Sequence, residues 1–200
     1  MNQSEPRSAL PADFLFVFAG ADDRKYFAID AWRKGRGKTL VVSVARFEWR
    51  RVPALGLPGE GELLALVEAT PPVRRLFQLV VAGESVEARV VPKGRWGTWS
   101  EAVAFARLVR ERKAESLLVC TSDYHLPRAL LSVRRALART AGPPCTVTGL
   151  GFHERPGSPL EASRRWRSPL AWIALAFEGV KYLVYWLGIP TLFDRHETDR

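Results

Sequence analysis

An apolar run, LLVC at positions 117–120, is followed without a break by TSDYHLPR, a stretch dense in groups that can do chemistry. Thr121 and Ser122 carry hydroxyls, His125 an imidazole, and Arg128 a guanidinium three residues further on. On a helix that spacing places His125 and Arg128 on one face. A helix N-terminus with spare N–H groups, a hydroxyl and an arginine suits a phosphate or a carboxylate. The imidazole is then a candidate general acid/base, and Arg128 a candidate anion clamp. Taken singly, each residue has a plainer explanation. Ser122 or Asp123 can cap the helix, Pro127 fits its first turn, His125 can pack in a core and Arg128 can form a surface ion pair.

Two other polar turns bear comparison. In GRWGTWSEA, Thr98 and Glu101 have the spacing of a capping box, which would account for both without a ligand; as site residues they would form a polar wall. In AGADDR, Gly20 and the amides after it could cradle an anion, with Arg24 close by. No GxGxxG is present there. Asp22 and Asp23 could hold a divalent cation, although paired acids at a helix start usually serve its dipole. HExxH, GxSxG, Walker and CxxC patterns are all missing from the sequence, so no metal site is assigned.

The elements that must position these turns follow from hydrophobic period. Strands are expected over 13–20, 39–45, 116–121 and 145–151, with two β-like runs around AGES in 76–92 that read as a hairpin. Helices are expected over 22–35, 62–69, 100–114, 125–139 and 169–188. Strands alternating with helices, and too apolar to face water on one side, predict an α/β, three-layer Rossmann-like domain with a mostly parallel central sheet. In such a sheet all strand-to-helix turns lie on the carboxyl edge, so turns far apart in sequence can share one cleft. The domain is expected over 12–152, a linker over 153–167, and a C-terminal helix over 168–190.

Composition narrows the class. The chain has 200 residues, 47% of them hydrophobic and 26% charged, and a formal net charge of +9. An excess of basic charge favours anionic partners: phosphates, nucleic acid or acidic lipid. Its two cysteines, Cys120 and Cys145, sit in apolar runs and read as small core residues of a reducing compartment. The alternative to a small-molecule site is a basic nucleic-acid-binding module. Residues 93–139 hold ten Lys or Arg against four Asp or Glu, and Trp96 and Trp99 could stack on bases. With no recognition helix or RNA-binding motif, nucleic acid is not the expected partner.

The run LLVCTSDYHLPRA, preceded by GTWSEA, resembles the YdcF-like family, which includes the bacterial SanA and ElyC envelope proteins. Thr98, Glu101, Thr121, Ser122, His125, Arg128 and Ala129 match its pattern. Gly20 and Arg24 resemble its first strand–turn–helix, and Ser43 the serine that ends its second strand. AGAD replaces a glycine-richer first turn, and Val44–Ala45 stand where glycines are common. The resemblance implies a Rossmann-like fold and a role in bacterial cell-envelope or lipid-carrier metabolism. Any reaction would be that of a hydrolase or transferase on a phosphate-bearing substrate. It also admits a nucleotide-type ligand such as S-adenosylmethionine.

The last helix is amphipathic in an unusual proportion. Ala171, Ala174, Glu178, Lys181, Tyr182 and Tyr185 form a narrow polar edge; Trp172, Ile173, Phe177, Val180, Val184 and Leu187 form a broad apolar face. Ser168 is placed to cap it and Pro169 to begin it. Glu178 and Lys181 near its centre, each costing ~2.5–3.5 kcal/mol in a bilayer core, argue against a span. Packing on the domain is expected, with a membrane surface or a second chain as alternatives. The N-terminus shows no basic region followed by an apolar stretch, so a cytoplasmic location is expected, with peripheral contact at the inner membrane face.

Overall fold

A computed structural model describes residues 10–58, 60–71, 76–92, 96–152 and 169–190. The expected linker over 153–167 and the Ser168 cap lie outside the described residues. Six strands, β1 (Ala12–Val17), β2 (Gly37–Val44), β3 (Phe77–Ala82), β4 (Ser85–Val90), β5 (Ser116–Ser122) and β6 (Thr146–Phe152), form one sheet in the order β4-β3-β2-β1-β5-β6. The β1–β2, β1–β5 and β5–β6 pairs are parallel. β2–β3 and β3–β4 are antiparallel, and the last two are the expected hairpin, turned at Gly83 with its positive φ of 59°. The sheet is therefore mostly parallel with an antiparallel excursion at one side.

Side-chain alternation along β1 divides the core in two. Phe14, Phe16 and Phe18 face helices α3 (Gly97–Glu111) and α4 (Leu126–Arg139), where Phe16 stacks on Phe105 with ring centroids 4.0 Å apart. Leu15 and Val17 face α1 (Asp22–Arg33), two short 3-10 turns at 49–51 and 53–55, and α2 (Glu60–Ala69). These are the three layers the alternating pattern requires. The last helix, α5 (Pro169–Trp186), packs against α4 and lengthens one outer layer. Among the described residues, no helix is long and apolar enough to cross a membrane.

At the amino ends of the strands, Asp13 ties β1 to its neighbours. Its carboxylate accepts from Lys38 Nζ (2.7 Å) and from the backbone N–H groups of Glu115 (2.9 Å) and Ser116 (3.1 Å). The Lys38 bond, with help from those amides, holds the Asp13 carboxyl down at about 2. Structure and charge are fixed at that edge; the carboxyl edge is different.

Phe105 lies between the phenylalanines of β1 and is fully buried. Phe105→Ala should lower the unfolding free energy by about 3–5 kcal/mol, read from the midpoint of urea denaturation at unchanged slope.

Candidate functional site

The strand order sets the location. The chain runs from β1 outward through β2, β3 and β4, then returns across the sheet to lay β5 against the other side of β1. The exit loops of β1 and β5 thus leave in opposite directions, and the crevice between them is where open α/β sheets bind ligands. All nine residues singled out in the sequence lie at this edge: Gly20 and Arg24 after β1, Ser43 near the end of β2, Thr98 and Glu101 on the first turns of α3, and Thr121, Ser122, His125 and Arg128 at the β5–α4 junction.

One side of the crevice is held by the β1–α1 turn. Gly20 has φ 140°, a conformation L side chains rarely adopt, and a Cβ there would meet Arg24 Nη1 at 2.8 Å. Arg24 reaches across from α1, donating from Nε to Ser122 Oγ (3.1 Å) and from Nη2 to Tyr124 Oη (2.9 Å). Lys25, fully buried on the inner face of α1, donates to the Gly20 carbonyl (3.1 Å) and pairs with Glu48 (2.5 Å). Glu48 in turn accepts from the Ala45 N–H at the exit of β2 (3.2 Å). The arginine, the tyrosine and the buried ion pair fix the turn relative to both neighbouring strands.

The floor is built on the sheet face that meets α3 and α4. Ser43 lies one step past the Val17–Val42 pair and Thr121 one step past Val17–Cys120, so they flank Phe18 on β2 and β5. Both are fully buried; among the described residues Thr121 Oγ1 has no hydrogen-bond partner, and Ser43 lies beside the Glu101 carboxyl. Over them comes Glu101 from α3, 6% exposed, its Oε2 accepting from the Ala19 N–H at 2.8 Å. Burial raises the Glu101 carboxyl to about 7, against the pull of that N–H bond. Thr98 and Glu101 therefore do not form a capping box. The helix begins two residues earlier than that motif needs, with Trp96 as its cap residue and no side-chain cap bond, which frees both side chains for tertiary contacts.

The wall opposite is α4. Its cap position is His125 rather than Ser122 or Asp123, again without a side-chain cap, and Pro127 lies in the first turn as the sequence implies. Asp123 instead lies over Gly151, so closely that no Cβ could be added there. Arg128 is the centre of this wall. It donates from Nε and Nη2 to the two carboxylate oxygens of Glu178 on α5 (2.9 and 3.2 Å), and from Nη1 to Thr98 Oγ1 (3.0 Å). Lys181 adds a second cation to Glu178 at 3.0 Å, and the Tyr185 ring lies 5.6 Å from the Arg128 guanidinium. Burial pushes the Glu178 carboxyl up, but the bonds from Arg128 and Lys181 outweigh it and hold it well below the usual carboxylate range.

His125 packs its ring edge-on to Phe18, and its Nδ1 stands 3.8 Å from Glu178 Oε2, too far for a hydrogen bond. Burial takes its pKa down to about 4, so the imidazole is neutral at pH 7. It can accept a proton only transiently; the carboxyl better poised to exchange protons near neutrality is Glu101.

Three participants escaped the sequence reading. Tyr124 and Lys25 were passed over, although a lysine one helical turn before Ala28 and Ile29, on the buried face of α1, is a visible anomaly. Glu178 was read only as part of a polar edge. Two readings are corrected. Trp99 is buried and offers no face for base stacking, and Trp96 is partly buried and packs edge-on against Tyr185. Asp22 is engaged by Arg51 at 2.9 Å, and among the described residues no group of three or more His, Cys, Asp or Glu side chains converges on a point. A cavity of about 480 Å³ lies at the other edge of the sheet, between Asp13, Lys38, Glu87 and Arg112. Of the charged groups that line it, Lys38 pairs with Asp13 and Arg112 with Glu87.

Glu101 and His125 give opposite pH dependences. Glu101 has a folded pKa above its unfolded value, so its contribution is complete below about pH 4.5 and is lost as pH rises through 7. The His125 contribution is complete above about pH 6.5 and is lost as pH falls through 4. The two offset in the wild type, and Glu101→Gln should separate them. Relative to the wild type, E101Q should gain roughly 2–3 kcal/mol of stability between pH 5 and pH 8, measured by urea denaturation at both values.

Comparison with known protein families, with curated proteins and with solved structures finds no match to this chain.

Proposed function

We propose that the crevice between β1 and β5 binds an anionic small molecule, phosphate-bearing or nucleotide-type, and that Arg128 is its clamp. The observation that carries this reading is the seat of Glu178: a carboxylate held by two parallel N–H bonds of Arg128, whose third contact is to Thr98. That fork is equally suited to a phosphate, and the ligand's anionic group competes with Glu178 for it. The Thr121 Oγ1 and His125 Nδ1 atoms, without a partner among the described residues, support the same reading, because buried polar groups without partners are costly and these two lie at one edge of the sheet. Neutral His125 and the raised Glu101 carboxyl supply the acid/base pair for hydrolase or transferase chemistry on the bound group. The resemblance of TSDYHLPRA to the YdcF-like family extends the proposal to bacterial cell-envelope or lipid-carrier metabolism.

Calorimetric titration with pyrophosphate, ADP and S-adenosylmethionine tests the site. Arg128→Ala should weaken binding roughly 10- to 100-fold, the value of a charge-assisted pair. Glu178→Gln should tighten it about tenfold or more by removing the internal competitor. Binding that is unchanged in both Arg128→Ala and His125→Ala, with thermal unfolding intact, overturns the proposal.

A further inference from the structure

The last helix is turned the opposite way from an ordinary surface helix. Over its described side chains, from residue 176 on, the helix turns Glu178 and Tyr185 of its polar edge to the domain: Glu178 binds Arg128, Tyr185 is buried beside it, and Arg135 donates to the carbonyls of Tyr185 and Trp186. The opposite side points outward. Phe177, Val180, Leu183, Trp186 and Leu187 lie along it and are each between 51 and 64% exposed. Five large apolar side chains over three turns make a contiguous patch of the kind that marks an interaction surface. Single exposed apolar residues need no explanation; five on one helix face do.

We infer that this face docks the protein onto an anionic lipid surface, with the helix lying in the interface plane. The charge balance separates this occupant from a second copy of the chain. The chain carries a formal net charge of +9, so two copies repel one another and an acidic bilayer attracts either. Local composition agrees: Lys181 is half exposed at the border of the apolar face, and in the sequence Arg164, Arg165 and Arg167 come directly before the helix. Trp186 and the partly exposed Tyr182 are amphipathic rings suited to headgroup depth. Among the described residues no helix can span a bilayer, so the mode is surface binding. No rearrangement is needed, because the contacts that hold the helix to α4 use its other side. The inference is independent of what the Arg128 crevice binds.

The test is sedimentation of the full chain with vesicles of phosphatidylcholine alone and of phosphatidylcholine mixed with phosphatidylglycerol, with light scattering of the free protein. The expected result is binding to the mixed vesicles, weaker binding to the neutral ones, and a monomer in solution. The double variant Phe177→Ser with Leu183→Ser should reduce binding about tenfold or more, with thermal unfolding as the control. Val180→Ser with Leu187→Ser should repeat the effect on the same face. Three results overturn the inference: no binding to either vesicle, binding that both double variants leave unchanged, or a dimer that the double variants dissociate.

Discussion

The position of β1 is the constraint on which the rest depends. It is paired in parallel on both sides, with β2 reached through α1 and β5 reached only after the chain has built the hairpin and crossed back over α3. Two chain segments about a hundred residues apart are thereby laid side by side, and their exit loops diverge at one point. Arg24 can reach Ser122 and Tyr124 only because of that juxtaposition. The same crossing sets α3 over the sheet face that carries Phe18, which puts Glu101 within reach of the Ala19 N–H. A different strand order would leave every one of these side chains on a solvated surface.

What gathers there is a set of polar groups that largely satisfy one another. Lys25 and Glu48 are linked to backbone groups of two turns, so the cost of burying that ion pair is offset by bonds that also fix the loops. Arg128 and Glu178 form the bidentate geometry that makes an arginine–carboxylate pair worth more than its exposed counterpart. Around these satisfied pairs remain Thr121 and His125, with buried atoms that have no partner among the described residues. Rigidity in the surroundings and unmet capacity in the centre is the arrangement that preorganisation requires. Neutralisation of both ionisable groups by burial has a further consequence. Between their two shifted pKa values, His125 is uncharged and Glu101 is protonated, so the floor of the crevice carries no charge to repel an anion.

Much of this was legible in the sequence because it rests on local rules. The period-2 runs around AGES specify a hairpin, and a helix follows each of the parallel strands β1 and β5. The polar turns were legible too, since an apolar strand that ends in Thr-Ser-Asp must end at a surface or a site. The failures are tertiary. Thr98 and Glu101 have the spacing of a capping box, and nothing local shows that Trp96 and Gly97 open the helix two residues sooner. Arg128 and Glu178 stand fifty residues apart on helices that meet only through packing, and no spacing rule links them. Lys25 shows its burial only once α1 is known to turn that face toward the sheet.

The last helix shows where amphipathicity stops being informative. Its sequence defines a polar edge and an apolar face, but not which of the two meets the protein. Apolar area alone would favour burying the broad face, at roughly 25 cal/mol for each Å² removed from water. The opposite orientation pairs Glu178 with Arg128, about nine-tenths buried once the helix is in place, and a buried guanidinium left unpaired is among the costlier defects a fold can carry. Glu178 removes that defect, Lys181 and Tyr185 line up behind it at helical spacing, and Arg135 fixes the far end. The electrostatic demand of one residue in the crevice thus sets the rotation of a whole helix. Exposure of the apolar face is the consequence, so the chemistry of the site and the character of the outer surface share a single cause.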